Sequence, residues 1–335
     1  MQSILHKVIG PKVVQPQVLT GRVAVVTGGA LGIGYEVSRA LAHAGCKVIM
    51  VNRKEEQGSD AISKIKEESL DADVDWKGCD LGNLSQVKNV FSDLRNSLER
   101  LDFLVLSAGI NANTFALDSD GIDRHFGVNY LGQYFATNQL WPLIRKTSMM
   151  PGVTAPRIVA ESSELHRIAP STVKFQSLEE INDDALGPTQ LYARSKLALI
   201  LMMKYGLVHK VIDPNSDSIF ALSVHPGAVN TAMQDQWKDA YGPIFGTLIS
   251  WVNKSVSRDA EQGSYSALWA LTAPDVAQSN QNGFYYTDPG QLGKESSQAS
   301  NPELGTSLWN LSERLIKEKL GDDALIDWNQ KDYAG

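Results

Sequence analysis

The sequence predicts a single α/β domain in which a doubly wound parallel sheet of about seven strands carries helices on both faces. Three observations lead to this fold class. Short β-branched runs alternate with longer amphipathic segments along the chain. The first run, at residues 22–27, is a continuous β-branched run, as expected for a strand buried on both faces. The 335 residues are 43% hydrophobic, which is enough for a full-sized core.

The predicted elements alternate in order along the chain. The strands cover residues 22–27, 46–51, 74–79, 101–106, 157–160, 218–224 and 283–286. The helices cover residues 35–44, 54–68, 84–98, 122–144 and 191–211. Gly45 ends the first helix, and Asn301 and Pro302 begin the last one as cap and first residue. Such alternation predicts parallel strands joined by right-handed crossovers.

We expect one domain over residues 21–320, preceded by an arm (1–20) and followed by a tail (321–335). No run of 18 apolar residues is present, so no membrane-spanning helix is expected. The arm lacks the continuous apolar segment of a secretory signal. Two interpretations of the arm stay open: it packs on the domain, or it makes a shallow contact with a membrane. We therefore expect a cytoplasmic protein.

Charge and composition exclude other classes of function. The net charge of −7 disfavours a protein that binds nucleic acid by neutralising phosphates. The only cysteines, Cys46 and Cys79, indicate neither a disulfide framework nor a cysteine zinc site. The six histidines show no metal-ligand spacing, so no metal is predicted.

A glycine-rich segment, Thr27-Gly-Gly-Ala-Leu-Gly-Ile-Gly34, lies between the first predicted strand and helix. Glycines let backbone N–H groups approach a pyrophosphate, and the helix N-terminus favours an anion there. A plain strand-to-helix turn is the alternative. The candidate phosphate-binding residues are Gly28, Leu31, Gly32, Ile33 and Gly34.

Tyr192 and Lys196 are four residues apart and share one face of a predicted helix. A phenol has a pKa near 10, too high for a base at neutral pH. We expect the neighbouring ammonium to lower the pKa of Tyr192 by roughly two to three units. Such pairs occur by chance on many helices, but this one follows a phosphate loop and is therefore informative.

Together, Thr-Gly-x-x-x-Gly-x-Gly and Tyr-x-x-x-Lys resemble the short-chain dehydrogenase/reductase family, which has a Rossmann-type fold. The resemblance implies that Tyr192 transfers a proton, Ser163 polarises the substrate oxygen and Lys196 tunes Tyr192. It also implies that Asn129 supports a water relay to the lysine. Ser162 is the alternative to Ser163, and a bend in the helix is the alternative role of Asn129.

The end of the second strand indicates NADP(H) rather than NAD(H). An NAD site needs a carboxylate there for the ribose 2′-hydroxyl, but this chain has Asn52 followed by Arg53 and Lys54. Arginine can bind a 2′-phosphate in a bidentate manner, although both cations also fit a solvated helix start. The resemblance adds further cofactor contacts at Asp80, Leu81, Ala108, Gly109, Tyr192, Lys196, Pro226, Gly227, Val229 and Thr231.

One motif departs from the family pattern. After the fourth strand the family has Asn-Asn-Ala-Gly, whereas this chain has Leu106-Ser-Ala-Gly109. We expect altered local packing rather than lost activity.

The long segment between Ser163 and Tyr192 and the Ser-Lys-Leu-Ala stretch after Arg194 resemble the branch of retinol dehydrogenases and WW-domain oxidoreductases. Residues 232–256 are expected to form a substrate lid. Their aromatic stripe favours a bulky apolar carbonyl or alcohol, with core packing as the alternative. The stripe comprises Met233, Trp237, Tyr241, Phe245, Leu248 and Trp251. His166 fits a packing role better than a substrate contact.

Two other functions stay open at this stage. The chain could be a cofactor-binding scaffold for an isomerisation or pericyclic step, or a structural interaction protein that binds no cofactor. A homodimer is possible through the helices at 122–144 and 191–211, which this family often pairs.

Overall fold

The computed structural model describes residues 12–227, 229, 258–279 and 281–330. Within these residues one sheet holds the strands β1 (Val23–Thr27), β2 (Lys47–Asn52), β3 (Val74–Gly78), β4 (Phe103–Leu106), β5 (Arg157–Glu161), β6 (Phe220–Val224), β7 (Tyr285–Asp288) and β8 (Gln291–Leu292). Their order is β3-β2-β1-β4-β5-β6-β7-β8, and only the β7–β8 pairing is antiparallel. The predicted doubly wound α/β fold is confirmed.

Helices cover both faces of the sheet. They are α1 (Gly32–His43), α2 (Glu55–Glu68), α3 (Leu84–Ser97), α4 (Gly132–Ser148), α5 (Leu178–Ile181), α6 (Pro188–Leu201), α7 (Ala260–Thr272), α8 (Pro274–Gln278) and α9 (Pro302–Leu320). Apolar residues of α1, α2 and α7 form one core cluster with the sheet, and those of α3, α4, α6 and α9 form the other. The sheet is thus covered on both faces, and α9 packs on the helices of the second cluster rather than on the sheet itself.

The described sheet has eight strands rather than about seven. The additional strand, β8, has two residues and pairs with β7 across a turn at Pro289 and Gly290. Gly290 has a φ of +74°, which glycine adopts without strain. Two residues are too few to display the alternation by which a strand is identified in a sequence.

Two predicted helices contain π-helical segments. Gly127–Leu131 is π-helical just before α4, and Met202–Ile212 continues α6 in the same geometry. π-Helical turns are rare and often occur at functional sites. The first of them contains Asn129.

The direction of winding reverses between β1 and β4, which are neighbours in the sheet. In open α/β sheets ligands bind at the carboxyl ends of the strands near such a point. Here those ends are Thr27 of β1, Leu106 of β4 and Glu161 of β5. The fold therefore brings the glycine-rich loop and the predicted catalytic residues to one edge.

The C-terminal part of the chain covers the two helix faces expected to pair in a dimer. Trp309 of α9 lies against Tyr134 and Trp328, with ring centroids 5.0 Å apart in both pairs. The ring of Trp328 also lies 5.6 Å from that of Trp141. In the described residues α9 and residues 321–330 thus cover the part of α4 that carries Tyr134 and Trp141. None of the helices in the described stretches is long and apolar enough to cross a membrane.

Candidate active site

The glycine-rich loop between β1 and α1 forms a cradle that larger residues would fill. Gly28 has a φ of +67°, and a Cβ there would lie 2.8 Å from the Cα of Ala108. A Cβ on Gly34 would overlap the carbonyl oxygen of Gly28. The N-cap residue Leu31 is exposed and makes no side-chain hydrogen bond to the first turn of α1. This helix N-terminus, which also includes Gly32 and Ile33, fits a bound pyrophosphate.

The residues predicted to bind the adenosine end lie at the ends of β2 and β3. The Arg53 side chain is 69% exposed, and its Nη1 lies 3.6 Å from Oδ2 of Asp80. Lys54 is exposed at the start of α2. The Oδ1 atom of Asn52 is buried and accepts no hydrogen bond in the described structure. The end of β2 therefore presents an amide followed by two cationic residues, with no carboxylate at position 52.

The loop after β3 is held by a hydrogen bond and by close packing. Oδ1 of Asp80 accepts a hydrogen bond from the N–H of Gly82 at 2.9 Å. Leu81 is buried, and a Cβ on Gly132 would overlap its carbonyl oxygen. The loop thus packs directly on the start of α4.

Tyr192, Ser163 and Lys196 meet where α6 passes the carboxyl end of β5. The buried Tyr192 hydroxyl is hydrogen-bonded with Ser163. Nζ of Lys196 donates to the carbonyl oxygen of Glu161 at 2.7 Å and lies 5.5 Å from the Tyr192 ring centroid. The Ser162 hydroxyl donates to the Lys196 carbonyl at 2.8 Å and so fastens α6 to β5. Of the two serines, only Ser163 is hydrogen-bonded with Tyr192.

The predicted lowering of the Tyr192 pKa is wrong for this structure. Burial raises the pKa of Tyr192, the negative charge of Glu161 raises it further, and the hydrogen bond with Ser163 lowers it in part. Burial lowers the pKa of Lys196, against the opposing effect of Glu161. The charge of Lys196 alone would lower the pKa of Tyr192, but in the fold the negative charge of Glu161, at the end of β5, raises it.

Asn129 joins α6 to the chain that follows β4. Its Oδ1 accepts from the N–H of Ile110 at 2.7 Å, while its Nδ2 donates to the Ile110 carbonyl at 2.9 Å and to the Ser195 hydroxyl at 3.0 Å. A Cβ on Gly109 would lie 3.5 Å from both Oδ1 of Asn129 and Nζ of Lys196. The Asn129 amide and the Lys196 ammonium therefore both lie next to Gly109.

The unusual turn after β4 is held by residues that the sequence analysis did not identify. The Thr27 hydroxyl accepts the N–H groups of Ser107 at 3.1 Å and Ala108 at 3.3 Å. Gln133 accepts from that hydroxyl at 2.8 Å and donates to the Ala108 carbonyl, also at 2.8 Å. These bonds hold the turn in the absence of the family's first asparagine.

Glu161 is a second residue that the sequence analysis missed. It is 5% exposed, and its Oε2 accepts a hydrogen bond from the Ser107 hydroxyl at 2.9 Å. Burial raises the pKa of its carboxyl, whereas the bond from Ser107 and the charge of Lys196 lower it. An acidic residue within an apolar strand was the signal available in the sequence.

The Pro-Gly turn after β6 is fixed by an arginine from a distant segment. Arg258 donates to the carbonyl of Pro226 at 3.2 Å and is paired with the buried Asp288. Gly227 has a φ of +90°, and a Cβ there would lie 2.8 Å from Nη1 of Arg258. Val229 is buried and forms a parallel bridge with Arg258. Thr231 and the predicted lid at 232–256 lie outside the described residues.

His166 has a packing role in the described structure. Its Nδ1 lies 2.7 Å from the Ser163 carbonyl, and its Nε2 accepts from the N–H of Ser296 at 3.2 Å. Its ring lies edge-on to Tyr285. Both ring nitrogens are thus engaged in holding the chain after Ser163. In the described part of the chain no group of three or more histidine, cysteine, aspartate or glutamate residues could hold a metal ion.

Comparison with known proteins agrees with this geometry. The model of the short chain dehydrogenase family matches residues 22–165. The protein named oxidoreductase bli-4, mitochondrial, of Neurospora crassa is 34% identical over 310 residues, which are 90% of this chain and 73% of that protein. Polyprenol dehydrogenase of Homo sapiens is 30% identical to this chain over 262 residues. The match covers 76% of this chain and 74% of the human protein.

Two further comparisons concern the predicted branch and the fold. The WW domain-containing oxidoreductase of Gallus gallus is 29% identical over 92% of this chain and 72% of its own. A short chain dehydrogenase from Burkholderia cenocepacia, solved in complex with NADP, has the same fold, with a TM-score of 0.61, 24% identity, and coverage of 82% of this chain and 99% of its own. The chain is an oxidoreductase of the short-chain dehydrogenase/reductase family, in the branch that includes polyprenol dehydrogenase and the WW domain-containing oxidoreductase.

Proposed function

We propose that this oxidoreductase uses NADP(H) to interconvert a carbonyl and an alcohol on a bulky apolar small molecule. The observation that carries the proposal is the hydrogen-bonded pair of Tyr192 and Ser163 beside Lys196, at the strand edge that also holds the glycine cradle. This edge then holds the three groups that carbonyl reduction requires. They are a proton donor (Tyr192), a hydroxyl that binds the substrate oxygen (Ser163) and a site for the cofactor phosphates.

Each side chain has a distinct part in the reaction. When bound, NADPH supplies the reducing equivalent to the carbonyl carbon. Tyr192 gives its proton to the carbonyl oxygen, and Ser163 donates a hydrogen bond to the same oxygen as negative charge develops on it. Lys196 holds the nicotinamide ribose, and Asn129 supports the lysine from behind. In the alcohol-oxidising direction Tyr192 takes the proton back.

Arg53 is proposed to bind the 2′-phosphate. Changing Arg53 to alanine should raise the Kd for NADPH about tenfold to a hundredfold, because a charge-assisted contact contributes roughly 1.5–3 kcal/mol. The Kd for NADH should stay the same, since NADH has no 2′-phosphate. Fluorescence titration measures both values. Lys64→Ala, an exposed change on the same helix α2, is the matched control. Equal losses for NADPH and NADH would contradict this role.

The raised pKa of Tyr192 predicts opposite pH dependences for the two directions. Carbonyl reduction needs the protonated phenol, which persists until the pH exceeds the raised pKa, so its rate should stay level between about pH 6 and 8. Alcohol oxidation needs the phenolate, so its rate should rise with pH over the same range. Initial rates at saturating cofactor in each direction test this. An oxidation rate that falls with pH would contradict it.

Two observations support a bulky apolar substrate. The chain shares its branch with a polyprenol dehydrogenase, whose name denotes a long isoprenoid alcohol. The aromatic stripe of residues 232–256 follows the Pro-Gly turn, where the family has its lid. We expect long-chain prenyl alcohols and aldehydes to be converted faster than short-chain ones.

Absorbance at 340 nm tests the proposal. NADPH should be consumed with bulky aldehydes or ketones, and NADH should be consumed much more slowly. Tight NADPH binding with no turnover across the panel would instead favour the non-redox scaffold, and no binding of either cofactor would favour a structural protein. The cytoplasmic location also stays a proposal, and subcellular fractionation would test it.

A further inference from the structure

Glu161 places a buried carboxylate at the end of β5, a strand that is otherwise largely apolar. One of its oxygens accepts a hydrogen bond from Ser107 at 2.9 Å. The other, Oε1, is buried and has no hydrogen-bond partner among the described residues. A half-satisfied buried carboxylate is costly, because it has lost water without gaining full compensation.

The Glu161 carboxylate lies beside the glycine cradle, and the main chain of Glu161 is bonded to Lys196. The Ser107 hydroxyl that holds it lies 3.0 Å from the position that a Cβ on Gly34 would take. Nζ of Lys196 bonds the main-chain carbonyl of the same Glu161, 2.7 Å away. Side chains alternate along a strand, so Glu161 points to the same face of the sheet as Val159, which belongs to the core cluster of α1 and α7.

No cation of the described structure neutralises this carboxylate directly. The described ion pairs within 4.0 Å do not include Glu161, and Lys196 acts on it only through the longer-range field. By contrast, Glu164, three residues on, is paired with Arg167 at 2.7 Å and accepts from the Tyr285 hydroxyl at 2.9 Å. When it is ionised, Glu161 therefore presents a negative charge to a ligand bound at this edge.

We infer that Glu161 sets the preference of the site for the oxidised over the reduced form of the cofactor. This inference rests on the proposed function. The nicotinamide ring carries a positive charge when oxidised and none when reduced, so a nearby carboxylate stabilises the oxidised form. The effect is strong where water is excluded. Because bound NADP⁺ is stabilised relative to bound NADPH, the equilibrium on the enzyme shifts towards carbonyl reduction.

The test compares affinities for NADP⁺ and NADPH, measured by isothermal titration calorimetry on the full chain at pH 8.5. In Glu161→Gln the ratio of the Kd for NADPH to the Kd for NADP⁺ should fall about tenfold, which corresponds to the loss of one charge interaction in a partly screened site. Ser107→Ala should lower the ratio in the same direction but less, because the lost hydrogen bond favours the protonated carboxyl.

Glu164→Gln is the matched control. It removes the same charge nearby, but one that Arg167 already balances, so the ratio should not change. If Glu161→Gln folds and its ratio of Kd values equals that of the wild type, the inference is overturned. If that variant does not fold, an unchanged ratio of Kd values in Ser107→Ala overturns it instead. If the wild-type chain binds neither form, the proposed function fails and the inference falls with it.

Discussion

Changing Tyr192 to phenylalanine should reduce turnover about a thousandfold, or roughly 4 kcal/mol in activation free energy. The variant keeps the ring but loses the hydroxyl that is hydrogen-bonded with Ser163. Steady-state rates at saturating NADPH measure the loss.

Tyr205→Phe is the matched control, because Tyr205 and Tyr192 are equally buried, each 8% exposed. Tyr205 packs against Gly305 of α9, away from the strand edge that holds the site. Its variant should retain wild-type turnover. The Kd for NADPH in Tyr192→Phe should stay close to the wild-type value. Turnover within a few-fold of wild type in that variant would remove Tyr192 from the mechanism.

The second large effect concerns stability. Changing Trp309 to alanine should lower the free energy of unfolding by about 3–5 kcal/mol, the range for buried tryptophans cut to alanine. Trp309 is 4% exposed, contacts the rings of Tyr134 and Trp328, and donates from Nε1 to Glu313 at 2.9 Å. A Cβ on Gly206 would overlap its ring, so the fit is tight. Equilibrium urea unfolding measures the change.

Trp309→Phe keeps part of the ring and should be destabilised less than the alanine variant. Both variants should bind NADPH normally at low temperature. The candidate site lies at the carboxyl ends of the strands, whereas Trp309 lies among the helices. The alanine variant should also form dimers or larger species in size-exclusion chromatography, since it loosens the cover on α4 and α6. An unchanged urea midpoint in Trp309→Ala would show that α9 contributes little to the fold.

Most of the fold could be predicted because its signals are local. The run at residues 22–27, the glycine stop at Gly45 and the Asn301 cap each act within a few residues, and the structure confirms the elements they define. The Asn301 side chain accepts the N–H groups of Glu303 and Leu304 as a helix cap does. The strand order then follows from right-handed crossover connections between parallel strands.

What could not be predicted depends on contacts between distant parts of the chain. The π-helical segment around Asn129 forms where that side chain bonds the main chain of Ile110. The pKa of Tyr192 depends on Glu161, which reaches it from another element. The Pro-Gly turn is fixed by Arg258, 31 residues beyond Gly227 in the sequence. No local pattern of residue types indicates such neighbours.

The most direct test of the central claim follows the reducing equivalent itself. The full chain is incubated with NADPH deuterated at C4 and long-chain prenyl aldehydes, and the alcohols are analysed by mass spectrometry. The proposed function predicts one deuterium on the carbinol carbon of the product, and about a thousandfold slower formation of that product by Tyr192→Phe. A product that forms without deuterium, while the cofactor stays reduced, would contradict the claim and establish a non-redox reaction.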